Sequence, residues 1–144
     1  MNAIAAQVCY SVLMTLRSLV TGLSHIGIRV HDLARSEAFY AQLGFEHAWG
    51  PVGPENVTGM RHSSGLELNF IVNAAQPHAP NVLMDGSDKF PGITHIALSI
   101  TNVAATEAAL ERAGIAISGR RGSPEIVALF VRDPDRNVIE LAAE

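Results

Sequence analysis

Apolar and polar residues alternate in several short stretches of this chain, a pattern typical of β-strands with one buried face. In the segment GLELNF, Leu66, Leu68 and Phe70 fall on one face of the predicted strand, and Glu67 and Asn69 fall on the other. A solvated strand face is the ordinary explanation for a single glutamate at such a position. The apolar setting of Glu67 raises the question of what its carboxylate does.

A longer pattern, in which a strand is followed by a helix and a glycine, occurs twice. The segments SHIGIRVHDLARSEAFYAQLGF and THIALSITNVAATEAALERAGI lie 70 residues apart. At this offset Asp32 corresponds to Asn102, and both residue types cap helix N-termini. Each predicted helix is about three turns long, and Gly44 or Gly114 closes it. The chain is therefore predicted to contain two copies of one unit.

Short strand-like runs follow each predicted helix. They cover residues 45–49, 57–62 and 65–73 in the first half and residues 115–118, 126–131 and 137–142 in the second. Each half is thus a βαβββ unit, and the predicted fold class is α+β with two tandem βαβββ modules. Helices would cover the apolar faces of the sheets, so that the opposite faces line a cavity if the sheets curl.

We expect a single domain over residues 21–144, with module one at 21–73, a linker at 74–92 and module two at 93–144. The linker contains three prolines and two glycines, a composition typical of a loop between modules. A chain of 144 residues is long enough to bury its apolar surface without disulfides or structural metal. Any metal in the protein would therefore be functional.

Residues 1–20 are predicted to form an apolar helical extension. The apolar positions that recur at near-helical spacing are Ile4, Val8, Val12, Leu16 and Leu19. The segment lacks the basic region and the cleavage site of a signal peptide, which disfavours secretion. We expect this helix to pack on the domain or on a second subunit.

Charge and cysteine usage limit the class of partner. The formal net charge is −4, and no basic cluster is larger than Arg120-Arg121, so the pattern of a nucleic-acid-binding protein is missing. The single cysteine, Cys9, is compatible with a reducing cytosol. We expect a cytoplasmic protein that binds a small molecule, without nucleic-acid or membrane partners.

Two histidines and two glutamates fall on the polar faces of the predicted strands. His25 corresponds to His95 at the offset of 70, and Glu67 is matched with Glu140 at an offset of 73, the extra three residues being attributed to loop lengths. Each residue alone is more often structural or solvent-facing than a ligand. Their duplicated placement predicts a site for Zn²⁺, Ni²⁺, Co²⁺, Mn²⁺ or Fe²⁺ with positions left for water or substrate.

These segments resemble the vicinal oxygen chelate superfamily, which includes glyoxalase I, extradiol dioxygenases, methylmalonyl-CoA epimerase and the fosfomycin and bleomycin resistance proteins. The stretches that carry the resemblance are HIGIRVHDLARSEAFYAQLGF, GLELNF, THIALSI and FVRDPDRNVIEL, and it covers about residues 23–142. It implies a cupped mixed sheet around a metal, with helices on the outer face. It also implies a homodimer in which the site is often completed across the interface.

Within the superfamily the chain most resembles the glyoxalase I branch. His25, Glu67, His95 and Glu140 fall where glyoxalase I has its four metal ligands. The resemblance implies a divalent-metal-dependent lyase or isomerase that acts on vicinal oxygens through a metal-stabilised enediolate. Glu140 or Glu67 would then move the proton next to the carbonyl, with a weak preference for Glu140.

Four residues are candidates for substrate binding. Arg29 shares a strand face with His25, and Arg120 and Arg121 are predicted to reach an anionic group from a loop. Similar glyoxalases keep an asparagine four residues after the glutamate ligand to help hold glutathione. Here Asn69 comes only two residues after Glu67, which leaves the substrate open.

The turn before the last strand departs from the family pattern, because Arg136 replaces the glycine of Asp-Pro-Asp-Gly. We expect Asn137 to take any left-handed position in this turn.

Two other functions remain open. An Fe²⁺ extradiol-type dioxygenase would use His25, His95 and Glu140 as its facial triad, with Glu67 as a surplus carboxylate. A metal-free protein that binds or sequesters a drug, as in bleomycin resistance, would use only the cavity. Metal content distinguishes the second alternative, and oxygen uptake with catechols distinguishes the first.

Overall fold

The computed structural model describes residues 16–77, 79–123 and 126–143. Most of the predicted N-terminal helix, together with Cys9, lies outside these residues. The described part of it is a short helix, α1, Leu16–Leu19, whose two leucines are exposed. No helix of the described residues is long and apolar enough to cross a membrane.

In the described part of the chain, two helices and eight strands follow α1. In chain order they are β1 Ile26–Val30, α2 Leu33–Gln42, β2 Phe45–Val52, β3 Val57–His62, β4 Glu67–Val72, β5 His95–Ile100, α3 Val103–Arg112, β6 Ile117–Ser123, β7 Ile126–Arg132 and β8 Val138–Ala143. The strands form two four-stranded sheets, in the orders β1-β4-β3-β2 and β5-β8-β7-β6. The first and last strands of each module pair in parallel, and the other neighbours pair antiparallel. The predicted fold class is thus confirmed.

The helix termini follow the residues that predicted them. The Asp32 side chain accepts a hydrogen bond from the Arg35 backbone N–H at 3.0 Å, and α2 begins at the next residue. Asn102 caps α3 in the same way, with 2.8 Å to Ala105 N. Gly44, which follows α2, has a φ of 87°, a left-handed conformation that glycine adopts without strain.

One hydrophobic core joins the two modules. It contains Ile28, Val30, Phe39, Tyr40, Phe45, Met60, Leu68 and Phe70 from module one and Leu110, Leu129, Val131, Ile139 and Leu141 from module two. Tyr40 and Phe70 lie at its centre, with ring centroids 5.1 Å apart and no exposed area on either side chain. The apolar faces of both sheets are therefore turned away from the residues predicted to bind metal.

A buried carboxylate connects the modules through hydrogen bonds. Asp133 lies in the turn before β8, and the Tyr40 hydroxyl of α2 donates to its Oδ2 at 3.0 Å. The backbone N–H groups of Asp135 and Asn137 donate to Oδ1, and Asn137 Nδ2 donates to Oδ2. Burial raises the pKa of Asp133, although these hydrogen bonds act in the opposite direction. Burial and the nearby Asp133 likewise raise the pKa of Tyr40 well above its usual value.

An ion pair fastens the linker to the same turn. Arg136 donates from Nε and Nη2 to the two oxygens of Asp85, at 2.7 and 3.0 Å, and Arg132 adds a contact at 3.1 Å. The hydrogen bond from Arg136 is the largest cause that lowers the pKa of Asp85 to about 2. Arg136 itself has a φ of 65°, so the expectation that Asn137 takes the left-handed position is wrong. The arginine adopts that conformation where its side chain can pair with Asp85.

We expect Tyr40→Phe to lower the free energy of unfolding by about 1–2 kcal/mol, because Asp133 loses a hydrogen bond while it stays buried. Urea denaturation followed by circular dichroism measures the change. Thr101→Val, which removes an exposed hydroxyl, is the control and should stay within about 0.5 kcal/mol of the wild type. A Tyr40→Phe protein with the wild-type midpoint and slope would contradict the role given to this bond.

We expect Arg136→Gln to lower the melting temperature at pH 5 and to have a smaller effect as the pH falls towards 2. The pKa of Asp85 lies below its usual 3.8 in the folded protein, so its stabilisation is present above that value. It is lost as the pH falls through about 2. Differential scanning calorimetry from pH 5 to 2 tests this, with Arg35→Gln, an exposed arginine on α2, as the control. A difference that grows towards low pH would refute the assignment.

Candidate metal and substrate site

The polar face of the first sheet contains two rows of side chains that cross its strands. The pairing of Ile26 with Leu68 places His25 beside Glu67, and Arg61 of β3 lies opposite Glu67 on the other side. We call this the outer row. The next row contains Gly27, Asn69, Gly59 and Trp49, one from each strand, and is called the inner row.

Glu67 lies at the centre of a hydrogen-bond network on this face. Trp49 Nε1 donates to Oε1 at 3.0 Å, and Arg61 Nη2 donates to Oε2 at 2.7 Å. With its amide turned so that the nitrogen faces acceptors, Asn69 donates to Oε1 as well, at 3.2 Å. The hydrogen bonds from Arg61 and Trp49, together with the nearby His25, lower the pKa of Glu67. Its carboxylate thus stays ionised and holds two neighbouring side chains in place.

Trp49 lies flat against the sheet because its partner in the inner row is a glycine. A β-carbon added at Gly59 would lie 2.2 Å from Trp49 Nε1, which no side chain can accommodate without moving the ring. Irregularities in the β2–β3 pairing flank Trp49 on both sides. The local shape of β2 and the absence of a side chain at Gly59 together place the indole over the polar face of the first sheet.

The second sheet presents a corresponding inner row, formed by Ala97, Glu140, Phe130 and Gly119. His95 lies two residues before Ala97 on the same face, and its Nε2 is 2.9 Å from Glu140 Oε2. The His95 and Phe130 rings pack edge to face, with centroids 6.2 Å apart. One imidazole and one carboxylate are therefore in direct contact in module two.

Both histidines are oriented by the residue that precedes them. His25 Nδ1 lies 3.2 Å from Ser24 Oγ, and His95 Nδ1 lies 2.9 Å from Thr94 Oγ1. In the tautomer in which the hydroxyl accepts from Nδ1–H, Nε2 has the lone pair with which imidazole binds a metal. In the metal-free contact with Glu140, a proton must lie between His95 Nε2 and the carboxylate. The repeat thus preserves an orienting hydroxyl as well as the histidine.

The strand register overturns the matching of the two glutamates. Glu140 pairs with Ala97, and Gly27, which corresponds to Ala97 in the repeat, pairs with Asn69. Asn69 is therefore the counterpart of Glu140, and Glu67 lies one row further out. The offset of 73 reflects this shift of rows rather than loop lengths alone.

An asparagine four residues beyond this position is present after all. Counted from Asn69, it is Asn73, whose Oδ1 accepts a hydrogen bond from Arg29 Nε at 2.9 Å. Counted from Glu67, the fourth residue is Ile71.

The four predicted ligands do not form one cluster. Among residues 16–77, 79–123 and 126–143, no group of three or more His, Cys, Asp or Glu side chains is arranged to hold a metal. The structure brings His95 to Glu140 and places His25 beside Glu67, as two separate pairs. Each module therefore holds one histidine close to one glutamate.

The predicted anion-binding arginines lie in three different settings. Arg29 is exposed on the polar face of β1. Arg120 and Arg121 belong to strand β6 instead of a loop, and they point to opposite faces. Arg120 forms an ion pair with Glu107 of α3, on the helix side, so only Arg121 shares the face of Glu140. The expectation that both lie in a loop is therefore wrong, and their contact with substrate stays a prediction.

A cavity of about 450 Å³ adjoins the start of β5 and the edge of β1. Its lining includes His95, Gly27 and Arg29 from the strands and Val82 and Leu83 from the linker. The linker thus forms a wall next to the polar faces, within reach of a small molecule bound there.

Sequence patterns missed three residues of this site, namely Trp49, Arg61 and Phe130. Arg61 could have been found from the β3–β4 hairpin, since its short turn places Arg61 opposite Glu67. Trp49 could not, because the irregular pairing of β2 changes which residues share a face. Phe130 lies in the apolar run IVALFV, where alternation gives no signal.

The sequence matches the model of the Glyoxalase/Bleomycin resistance protein/Dioxygenase superfamily over residues 22–141. The chain therefore belongs to this superfamily, as the resemblance implied. A search of curated proteins gave no match.

Solved structures share the fold at low sequence identity. A glyoxalase family protein from Enterococcus faecalis superposes with a TM-score of 0.71 at 22% identity, over 86% of this chain and 98% of that one. The fosfomycin resistance protein FosX from Listeria monocytogenes gives 0.64 at 21% identity, over 87% and 94%. A mutant of FosX, in complex with Mn(II) and 1S,2S-dihydroxypropylphosphonic acid, gives 0.66 at 20% identity, over 86% and 92%.

Proposed function

We propose that the protein is a divalent-metal-dependent enzyme acting on a small substrate with vicinal oxygens, and that His25, His95 and Glu140 hold the ion. The observation that carries this proposal is the duplicated hydroxyl–imidazole pair, with Glu140 only 2.9 Å from the second imidazole. Two imidazoles and one carboxylate suit Zn²⁺, Ni²⁺, Co²⁺, Mn²⁺ or Fe²⁺ and leave coordination positions open.

The resemblance to glyoxalase I also predicts Glu67 as a fourth ligand. Both of its oxygens already accept hydrogen bonds, from Trp49 and Arg61, and a carboxylate that positions these two side chains is less free to turn towards an ion. The contacts therefore favour the three-residue set over the four-residue set.

A divalent ion bound there would polarise the substrate oxygens and stabilise the negative charge that develops on them. The chain itself must supply the group that moves a proton at the neighbouring carbon. Its lowered pKa makes Glu67 a weaker base, which supports the preference for Glu140. Arg29 and Arg121 lie on the polar faces, where they can bind an anionic substituent. This arrangement fits a lyase or isomerase of the glyoxalase type.

One observation favours the dioxygenase as a second candidate. The dioxygenase hypothesis leaves Glu67 as a surplus carboxylate near the iron. Trp49 and Arg61 donate hydrogen bonds to this carboxylate, which gives it another role. The remaining His25, His95 and Glu140 form a two-histidine, one-carboxylate set. The FosX complex, with its metal and a vicinal diol that bears a phosphonate, is a precedent for a substrate with vicinal oxygens.

The full centre would form in a homodimer. Strands β1 and β5, which start beside the two histidines, are each paired on only one side. A second copy that pairs with these edges would bring the His25 half of one chain to the His95–Glu140 half of the other.

We expect near-stoichiometric metal in the protein after purification without chelator or nickel resin, and a loss of at least about tenfold in affinity in His95→Ala or Glu140→Ala. Elemental mass spectrometry measures the metal per chain. The matched controls are His47→Ala and Glu37→Ala, because these residues form another His–Glu pair at 2.9 Å. Wild-type protein that takes up none of the candidate metals would sink the proposal and favour a metal-free binding protein.

The reaction is assigned with the metal-loaded protein. Isomerisation or lysis of substrates with vicinal oxygens supports the glyoxalase-type activity, and oxygen uptake with catechols supports the dioxygenase.

We expect Thr94→Val to weaken metal binding by about 10- to 100-fold, because the His95 ring loses the hydroxyl that fixes its Nδ1. Competition with a chelating dye measures the dissociation constant. Thr101→Val removes an exposed hydroxyl elsewhere and should leave that constant unchanged. An unaltered constant in Thr94→Val would show that the hydroxyl does not orient a ligand.

A further inference from the structure

We propose that Trp49 is an aromatic platform on the polar face of module one, that Glu67 is the positioning residue that fixes it, and that the platform receives a planar conjugated group. The inference rests on the proposed function only in identifying the bound molecule as the substrate. It also gives Glu67 a role other than that of a metal ligand.

The platform follows from the small residues around the indole. One face of the Trp49 ring lies against Gly59, so the other face is turned away from the sheet. Gly27, in the same row, also lacks a side chain, and a β-carbon there would meet only Ile71 Cδ1, at 3.6 Å. At the Gly27 end of the inner row, no side chain of the row itself thus stands in the way of a flat group that stacks on the indole.

Glu67 fixes this platform through charge as well as hydrogen bonding. The indole N–H is bound to one carboxylate oxygen and the Arg61 guanidinium to the other, and the Glu67 side chain is only 17% exposed. Bonds to an ionised acceptor are short and strong, so the ring loses its rotational freedom before any ligand arrives. This pre-organisation is the purpose we assign to the carboxylate in GLELNF.

The surroundings define the chemical class of the bound group. Aromatic rings favour offset stacking with other planar π-systems. The Arg61 side chain, 58% exposed, lies beside the platform and can interact with an anionic substituent. The geometry points to planar carboxylates or similar conjugated anions, rather than to flexible aliphatic ones.

Fluorescence can test the platform, because Trp49 is the single tryptophan of the chain. We titrate the metal-free full-length protein with benzoate and, as a control of equal charge without a planar ring, with cyclohexanecarboxylate. Benzoate should change the emission saturably and bind about 3- to 10-fold more tightly, as expected from the energy of an aromatic pair. No saturable change, or equal affinities, would overturn the proposal.

Two variants remove the platform by different routes. Glu67→Ala removes the acceptor of the indole, and Gly59→Ala forces the ring off the sheet while the carboxylate stays. Both should shift the emission to the red, increase quenching by acrylamide and abolish the preference for benzoate. Glu67→Gln, which keeps an acceptor for Trp49, should retain an emission closer to that of the wild type.

Matched controls separate these effects from general damage. Gly119→Ala alters the glycine that faces the aromatic residue in the inner row of module two, where a β-carbon would lie an ordinary 3.7 Å from Phe130. Glu46→Ala removes an exposed carboxylate opposite Arg61. Both should leave the emission and the benzoate preference unchanged. A preference that survives in Gly59→Ala would contradict the platform.

Metal content distinguishes failure of this inference from failure of the proposed function. Glu67→Ala should keep the wild-type metal content, whereas Glu140→Ala should lose it. Equal losses in both variants would make Glu67 a ligand and overturn this inference while the metal-dependent function stands. If the wild type binds no metal, the proposed function fails, and the titration of the metal-free protein still decides the role of Trp49.

Discussion

The buried Asp133 fixes how the two halves of this protein relate to one another. Its carboxylate closes the turn that leads into β8, the strand of Glu140. It also accepts a hydrogen bond from the hydroxyl of Tyr40, in the helix of module one. Burying a carboxylate costs free energy unless donors surround it, which explains why four hydrogen bonds converge there. The apolar faces of both sheets meet around this junction, and the polar faces carry the candidate site.

Much of this arrangement could be predicted because it depends on local patterns. The capping residues Asp32 and Asn102, and the glycine after each helix, act within a few residues of their position, so the sequence alone locates both helices. A shift of one residue in a strand turns its side chains to the other face, and the alternation of GLELNF excludes it. Fold class and the polar faces of the sheets were therefore predictable.

The same alternation of side chains explains why the matching of Glu67 with Glu140 was wrong. A shift of two residues keeps every side chain on its face, so the pattern cannot distinguish Glu67 from Asn69 as the counterpart of Glu140. Only the hydrogen-bonded register, which pairs Asn69 with Gly27, settles it. The position of Trp49 was equally inaccessible, because irregular pairing in β2 depends on contacts with the neighbouring strand.

The two inner rows show how a duplicated unit can divide its work. Each row has one aromatic residue opposite one glycine, but the order is reversed: Trp49 of β2 faces Gly59, whereas Phe130 of β7 faces Gly119. In module two the aromatic ring packs on His95 and leaves Glu140 next to the imidazole. In module one the Trp49 indole instead donates a hydrogen bond to Glu67 of the outer row. The position that corresponds to Glu140 is taken by the neutral amide of Asn69. In the two proposals, the carboxylate of the second module would bind a cation, while that of the first would fix the indole that receives the substrate.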